Sequence, residues 1–125
     1  IIDSQGYNWL RIMNLEAMKP EVGIVTTLGG MGISGASYYE GLHWVGTWSM
    51  YIPRKTIELI GVFDENFKIG EDIDYAYRIK LAGLKISILP LHFEHHQKRA
   101  TPHQDQGESI KREASIYFRK KHNLK

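Results

Sequence analysis

The stretch GVFDENFKIGEDID, residues 61–74, decides how the fold of this 125-residue chain is interpreted. It begins with a turn-forming glycine, carries two aromatic residues at Phe63 and Phe67, and ends in a dense group of carboxylates. A helical pattern starts directly after Gly70 and continues to Gly83, where a glycine is typical of a helix end. We expect the two phenylalanines to be buried and to hold the turn rigid, so that the carboxylates stand at a fixed helix N-terminus.

Three carboxylates fall within four residues at the predicted helix start, at Glu71, Asp72 and Asp74. One acidic residue there needs no functional explanation, because it caps free N–H groups and interacts with the helix dipole. Asp72 projects about 100° away from Glu71 around a helix, so negative charge is offered in two directions. The helix N-terminus should keep Asp72 ionised at neutral pH, as a general base requires. Capping plus surface charge is the alternative explanation, and Asp74 fits it best.

The segments on either side of this stretch predict an α/β fold. A helix is expected over residues 8–18, and residues 22–28 are almost uniformly apolar, which suits a strand buried on both faces in a parallel sheet. A second strand is expected over residues 85–89, with Pro90 at its edge or end. A last helix is expected over residues 109–122. We therefore predict one domain over the whole chain, with a mixed sheet flanked by helices.

The region between the first strand and the acidic stretch offers candidate contacts for a sugar. Residues 29–41 are rich in glycine, which predicts a surface loop rather than a phosphate-binding loop. In this loop Tyr38 and Tyr39 are either sugar-stacking platforms or simple anchors. A strand is expected over residues 43–52, where Trp48 is a candidate for lining a substrate pocket, because indole packs well on the apolar face of a sugar ring. Filling of the core is the alternative role for this tryptophan.

A second polar cluster, LHFEHH, covers residues 91–96. Imidazole nitrogens ligate divalent ions, and His95 and His96 are the candidate metal ligands. The spacing does not match the His-Glu-x-x-His pattern of helical zinc sites, and a polar strand edge is the alternative. If the acidic helix and the strand after it run antiparallel, the histidines and the carboxylates meet at one end of the unit. A metal-dependent hydrolase is a further hypothesis for these residues.

These segments together resemble the C-terminal half of GT-A fold glycosyltransferases, in particular the large inverting family two. The most specific piece is the Glu71-Asp72 pair that follows a Gly-x-Phe-Asp-Glu-x-Phe turn, and Arg78 supports it. Residues 9–25 are similar to the segment that follows the metal-binding Asp-x-Asp of that family. The resemblance implies a partial GT-A (Rossmann-like) domain that lacks the N-terminal nucleotide-binding half.

The resemblance also implies roles for individual residues. Sugar would pass from a nucleotide-sugar donor to an acceptor hydroxyl, and Asp72 would be the general base that takes the acceptor proton. Glu71 would hydrogen-bond the acceptor sugar, and Trp48 and Asp74 would belong to the substrate-binding site. His96 or His95 would meet the metal or the donor diphosphate.

The chain departs from that family because it has no N-terminal strand–helix repeat and no Asp-x-Asp motif ahead of residues 9–25. We therefore expect the chain to be inactive alone, and a divalent metal (Mn²⁺ or Mg²⁺) to depend on the missing motif. A partial sheet also leaves an edge exposed, which favours self-association. The alternative function is a non-catalytic carbohydrate-binding or oligomerisation module derived from a glycosyltransferase.

The composition sets outer bounds on partners and location. No apolar run approaches the roughly 20 residues of a membrane span, and the chain has no cysteine, which fits a reducing compartment. The expected location is the cytoplasm or the cytoplasmic face of a membrane. Residues 97–125 are basic, but a solvated basic helix explains them better than a nucleic-acid site, so no nucleic-acid partner is expected.

Overall fold

The computed structural model describes residues 8–92 and 107–124. Within those ranges the chain forms four helices and four strands, with one short 3₁₀ turn at Thr47–Ser49. The elements are α1 (Trp9–Ala17), β1 (Val22–Leu28), β2 (Met31–Ile33), β3 (His43–Val45), α2 (Arg54–Ile60), α3 (Glu71–Leu81), β4 (Lys85–His92) and α4 (Gly107–Lys121).

The centre of the fold is a parallel pair of strands, β1 and β4, with Thr26 opposite Ile88. Side chains on both faces of β1 are buried from its start to Thr27, as predicted for a parallel strand covered on both sides. The α/β class is thus confirmed as a small mixed α/β domain. The predicted end of β4 at residue 89 is wrong: Pro90 lies within the strand, at a register irregularity where its missing N–H is tolerated.

The loop predicted over residues 29–41 is corrected in part, and the strand predicted over residues 43–52 is confirmed only over His43–Val45. Part of the glycine-rich segment forms β2, which pairs antiparallel with the short β3. The tryptophan ring of Trp44 covers Gly32, where a Cβ would lie 2.5 Å from the ring, so the close approach needs glycine. The chain then turns instead of continuing as a strand, because Ser49 is held by β1: its hydroxyl lies 2.6 Å from that of Thr27.

The first helix packs on the parallel pair. Asn8 caps α1 as predicted, accepting a hydrogen bond from the Arg11 N–H at 3.1 Å. Met13 and Ala17 are buried against Val22 of β1. In the part of the chain that the structure describes, no helix has the length and apolar character needed to cross a membrane.

The last helix closes the opposite side of the domain. Ala114 and Phe118 of α4 are buried against Ala76 and Tyr77 of α3 and against Phe67 of the turn before α3. The predicted helix is therefore confirmed, with its start two residues earlier than expected. Its C-terminal end lies beside the acidic start of α3, which brings the chemistry-bearing residues together.

Candidate functional site

The turn from residues 61–70 is held by its own carboxylate and by aromatic packing. Asp64 accepts a hydrogen bond from the Asn66 N–H at 2.9 Å, which is a local Asx turn. Phe67 is buried against the ring of Tyr117, with centroids 4.8 Å apart. Phe63 is half-buried against the Tyr75 ring at 4.9 Å. The expected burial is confirmed for Phe67 and is only partial for Phe63, although both rings pack against a neighbouring aromatic ring.

Gly70 connects the turn to α3. It has φ 85 and ψ 7, a left-handed conformation that strains any residue with a Cβ. Helix α3 begins at the next residue, as predicted, with Glu71, Asp72 and Asp74 in its first turn. These three carboxylates differ in burial and in hydrogen-bond partners, and the roles we infer for them follow from those differences.

Asp74 is fully buried and paired within the protein. Lys121 Nζ lies 3.0 Å from each of its oxygens, His122 Nε2 lies 2.7 Å from Oδ1, and Arg78 Nε lies 3.2 Å from Oδ2. A buried carboxylate is stable only with such partners, because its desolvation is expensive. Asp74 was expected to bind substrate, but its 0% exposure leaves it no surface for one. Its role is to hold α4 on α3.

A second carboxylate shares the same cation. Lys121 Nζ also lies 2.9 Å from Asp64 Oδ2, and the Tyr117 hydroxyl donates to that oxygen at 2.9 Å. Burial alone would raise the pKa of Asp64, but the Asn66 N–H, the Lys121 ammonium and the Tyr117 hydroxyl together hold it well below its usual range. Lys121 thus ties the turn and the helix start to one point on α4.

Arg78 completes this framework from the next turn of α3. Its Nη1 donates to the Ile60 carbonyl at 2.8 Å and its Nη2 donates to the Val62 carbonyl at 2.6 Å. The guanidinium also lies over the Tyr75 ring, 4.8 Å from the centroid. The end of α2 and the turn that follows it are therefore fixed relative to α3 by one side chain.

Asp72 differs from both structural carboxylates because it has no cationic partner in the described residues, and unlike Asp74 it is partly exposed. Its Oδ1 accepts a hydrogen bond from the Ile73 N–H at 2.8 Å. Burial, followed by repulsion from Glu71, raises the pKa of Asp72 to about 6. The sequence led us to expect the helix N-terminus to dominate and to lower this pKa; burial is the larger effect. Asp72 is still mostly ionised at pH 7.

Tyr38 stands beside this carboxylate, a position that the sequence did not reveal. Its ring packs edge-on against Phe118, with centroids 5.3 Å apart, and its hydroxyl lies over Gly70, where a Cβ would come within 2.8 Å of it. Burial, with smaller contributions from the charges of Asp72 and Glu71, raises the pKa of Tyr38. The phenol is therefore neutral at physiological pH and offers a hydrogen-bond donor next to two carboxylates.

Trp48 lies in a different part of the domain. It lines a groove of about 260 Å³ between α1 and the 3₁₀ turn, together with Trp9 and Tyr51. It packs against the core cluster that contains Met13, whereas α3 contributes Ala76 to the cluster around Phe118. Trp48 and Asp72 are thus placed against separate core clusters.

The free side of β4 borders a second and larger groove. In the described residues β4 pairs with β1 alone, and about 710 Å³ of open space separates its Ile86 and Ile88 from the β2–β3 hairpin. In the described residues β4 is therefore an edge strand, and the prediction of self-association depends on that edge. That prediction stays a prediction.

The predicted metal ligands His95 and His96 lie outside the described residues. Among residues 8–92 and 107–124, no group of three histidine, aspartate or glutamate side chains could hold a metal ion. The metal site therefore rests on the sequence alone.

The comparisons with known proteins add no assignment. No family model, no curated protein and no solved structure matches this chain. What the site can do has to be argued from its own geometry.

Proposed function

We propose that this chain is the acceptor-side part of a GT-A glycosyltransferase catalytic domain, similar to family two, and that Asp72 is its general base. The observation that carries the proposal is the environment of Asp72: a partly exposed carboxylate with a pKa of about 6, at a rigid helix start. A general base works best when its pKa lies near the working pH, and burial has moved this carboxylate toward that range. The family resemblance of residues 61–74 supplies the reaction class.

The reaction proposed is the transfer of a sugar from a nucleotide-sugar donor to an acceptor hydroxyl. Asp72 takes the proton of that hydroxyl as the acceptor oxygen bonds to the anomeric carbon. The bond from that carbon to the nucleoside diphosphate breaks, and the diphosphate leaves with the bonding electrons. Attack from the side opposite the leaving group inverts the anomeric centre.

Glu71 and Trp48 complete the proposed substrate contacts. Glu71 is partly exposed next to Asp72, so its carboxylate is placed to accept a hydrogen bond from a second hydroxyl of the acceptor. Trp48 is half-buried in its own groove, where its indole would stack on a more distant part of a larger acceptor. Asp74 is left out of this set.

Binding of the donor and of a metal would require the nucleotide-binding half, which this chain lacks. A divalent ion, Mn²⁺ or Mg²⁺, would be held by His95 or His96 with an Asp-x-Asp from a nucleotide-binding half. When bound, such an ion neutralises a leaving diphosphate. The residues described here form no metal site, so no step above is assigned to it.

The kinetic test is Asp72→Asn in the full-length enzyme that carries this chain. Loss of a general base should lower the turnover number by about 10²- to 10⁴-fold, while binding of the donor stays unchanged. Glu65→Gln is the matched control, because Glu65 is an exposed acid in the same turn. Turnover retained within a few-fold in Asp72→Asn would reject Asp72 as the base.

A second candidate function is a non-catalytic carbohydrate-binding module, favoured by the tryptophan-lined groove. The two functions are separated by titrating the chain and its Trp48→Ala variant with glycans, and with nucleotide sugars plus Mn²⁺. Glycan binding that is lost in Trp48→Ala, with no dependence on nucleotide in the full-length protein, would favour the module.

A further inference from the structure

The first turn of α3 contains three carboxylates, and the charge of one of them is balanced from another helix. Asp74 contacts Lys121 and His122, which lie at the C-terminal end of α4 and directly after it, in addition to Arg78 of its own helix. The contact with Lys121 spans 47 residues of sequence. Without Lys121 and Arg78, Asp74 would be a second buried negative charge two residues from Asp72.

The same contacts fix where Asp72 stands. The Asp74 N–H donates to the Gly70 carbonyl at 3.0 Å, which is the first hydrogen bond of the helix. Lys121 also bonds to Asp64 in the preceding turn, so the residues before and after Gly70 are held by one ammonium group. A shift of α4 would therefore move the turn and the helix start together.

We propose that Lys121 and His122 are positioning residues for Asp72: both hold the first turn of α3, and Lys121 cancels the charge of Asp74, so that Glu71 is the acidic side chain whose charge Asp72 experiences. The inference rests on the proposed function, in which Asp72 is the base. In this proposal the end of α4 affects proton transfer by Asp72 through its contacts with Asp74, and not through contact with substrate.

In the described residues, the titratable groups that interact with Asp72 come from α3 itself and from the β2–β3 connection. Glu71 comes from its own helix, and Tyr38 comes from the β2–β3 connection with a neutral phenol. Asp74, two residues further along α3, is fully buried in contact with Lys121, Arg78 and His122. Lys121 is the one to remove, because it contacts both Asp64 and Asp74.

Two explanations of the α4 contact predict opposite changes in the Asp72 pKa when Lys121 is replaced by methionine. If Lys121 cancels the charge of Asp74, its loss adds repulsion, and the Asp72 pKa should rise by about 0.5 or more above its value in the unchanged chain. If α4 is only a packing element, the loosened helix exposes Asp72 to water, and its pKa falls toward the ordinary value of about 4.

The experiment is a titration of the aspartate carboxyl carbons by NMR in the unchanged chain, in Lys121→Met and in Lys120→Met. Lys120→Met is the matched control, because it removes the same charge from the adjacent, exposed position. We expect a rise in the Asp72 pKa for Lys121→Met, a smaller change for Lys120→Met, and the original value for Lys121→Arg. A fall, or an equal change in both methionine variants, would overturn the proposal.

If Lys121→Met does not fold, Lys121→Gln keeps hydrogen-bond donors for both carboxylates without the charge, and the same rise is expected. An unchanged Asp72 pKa in a folded Lys121→Gln would reject the charge-cancelling role. This readout does not use turnover, so it stands or fails separately from the assignment of Asp72 as the base, which the Asp72→Asn kinetics test. In the full-length enzyme the acid limb of the pH profile should move upward with the Asp72 pKa.

Discussion

Lys121 Nζ lies 3.0 Å from both carboxylate oxygens of Asp74, and this contact joins the last turn of α4 to the first turn of α3. The pair is buried on the Asp74 side, and it is reinforced by Asp64, which shares the same ammonium. A basic helix end therefore closes on an acidic helix start, and the two charges are satisfied by each other rather than by water. One consequence is that a single ammonium group connects the turn before α3, the first turn of α3 and the end of α4.

Asp74→Ala should be among the most destabilising single substitutions in the described chain. It removes the acceptor that Lys121, Arg78 and His122 share and leaves a cavity beside them. Breaking a buried pair from one side costs about 3–5 kcal/mol. The free energy of unfolding is measured by urea denaturation. Glu65→Ala is the control, because Glu65 is exposed and should change stability by no more than about 0.5 kcal/mol. A loss under about 1 kcal/mol in Asp74→Ala would contradict the account of this cluster.

Asp72→Asn should stabilise the protein, and the gain should depend on pH. The folded-state pKa of about 6 lies above the unfolded value of about 3.9, so ionisation of Asp72 opposes folding. The stability that protonation supplies is complete below about pH 4 and is lost as the pH rises to about 6. The variant should therefore be more stable by about 1–3 kcal/mol at pH 8, and by progressively less between pH 6 and pH 4.

The pH dependence is followed by urea denaturation of the unchanged chain and of Asp72→Asn at pH 8, 6 and 4.5. Glu65→Gln again serves as the control, because Glu65 is exposed and its replacement should not change stability in a pH-dependent way. A gain from Asp72→Asn that is the same at all three pH values would mean that ionisation of this carboxylate does not oppose folding.

Gly70→Ala should cost more than Gly83→Ala, although both glycines have a positive φ. The left-handed conformation alone costs about 1–2 kcal/mol for alanine at either site. At Gly83 nothing lies within 4 Å of an added Cβ, whereas at Gly70 the Cβ would meet the Tyr38 hydroxyl at 2.8 Å. Equal losses of unfolding free energy in the two variants would show that Tyr38 does not rest on Gly70.

Much of the fold follows from local patterns. The apolar run of β1, the Asn8 cap of α1 and the start of α3 after Gly70 are each visible within a few residues of sequence. They are local because backbone conformation, capping and strand burial depend on near neighbours. The β2–β3 hairpin was missed because its glycines are typical of a loop. The packing of Trp44 over Gly32, which requires one of these glycines, joins two strands and is not a local pattern.

The site was predictable only in part, because its decisive contacts join distant segments. The carboxylate cluster and the two phenylalanines could be read from one stretch. The pairing of Asp74 with Lys121, and the position of Tyr38 over Gly70, depend on how α4 and the β2–β3 connection pack. No spacing in the sequence signals either contact, and the burial that raises the Asp72 pKa comes from the same packing.

The most direct test of the account is the pH dependence of the proposed sugar transfer, measured in the longer protein that the proposed function requires and compared with the NMR titration of Asp72 in the same protein. If Asp72 is the base, the acid limb of the kcat/KM profile reports its pKa, and both measurements should give a value of about 6. The limb should also be absent from the residual activity of Asp72→Asn. An acid limb that persists unchanged in Asp72→Asn, or that lies far from the titration of Asp72, would contradict the assignment.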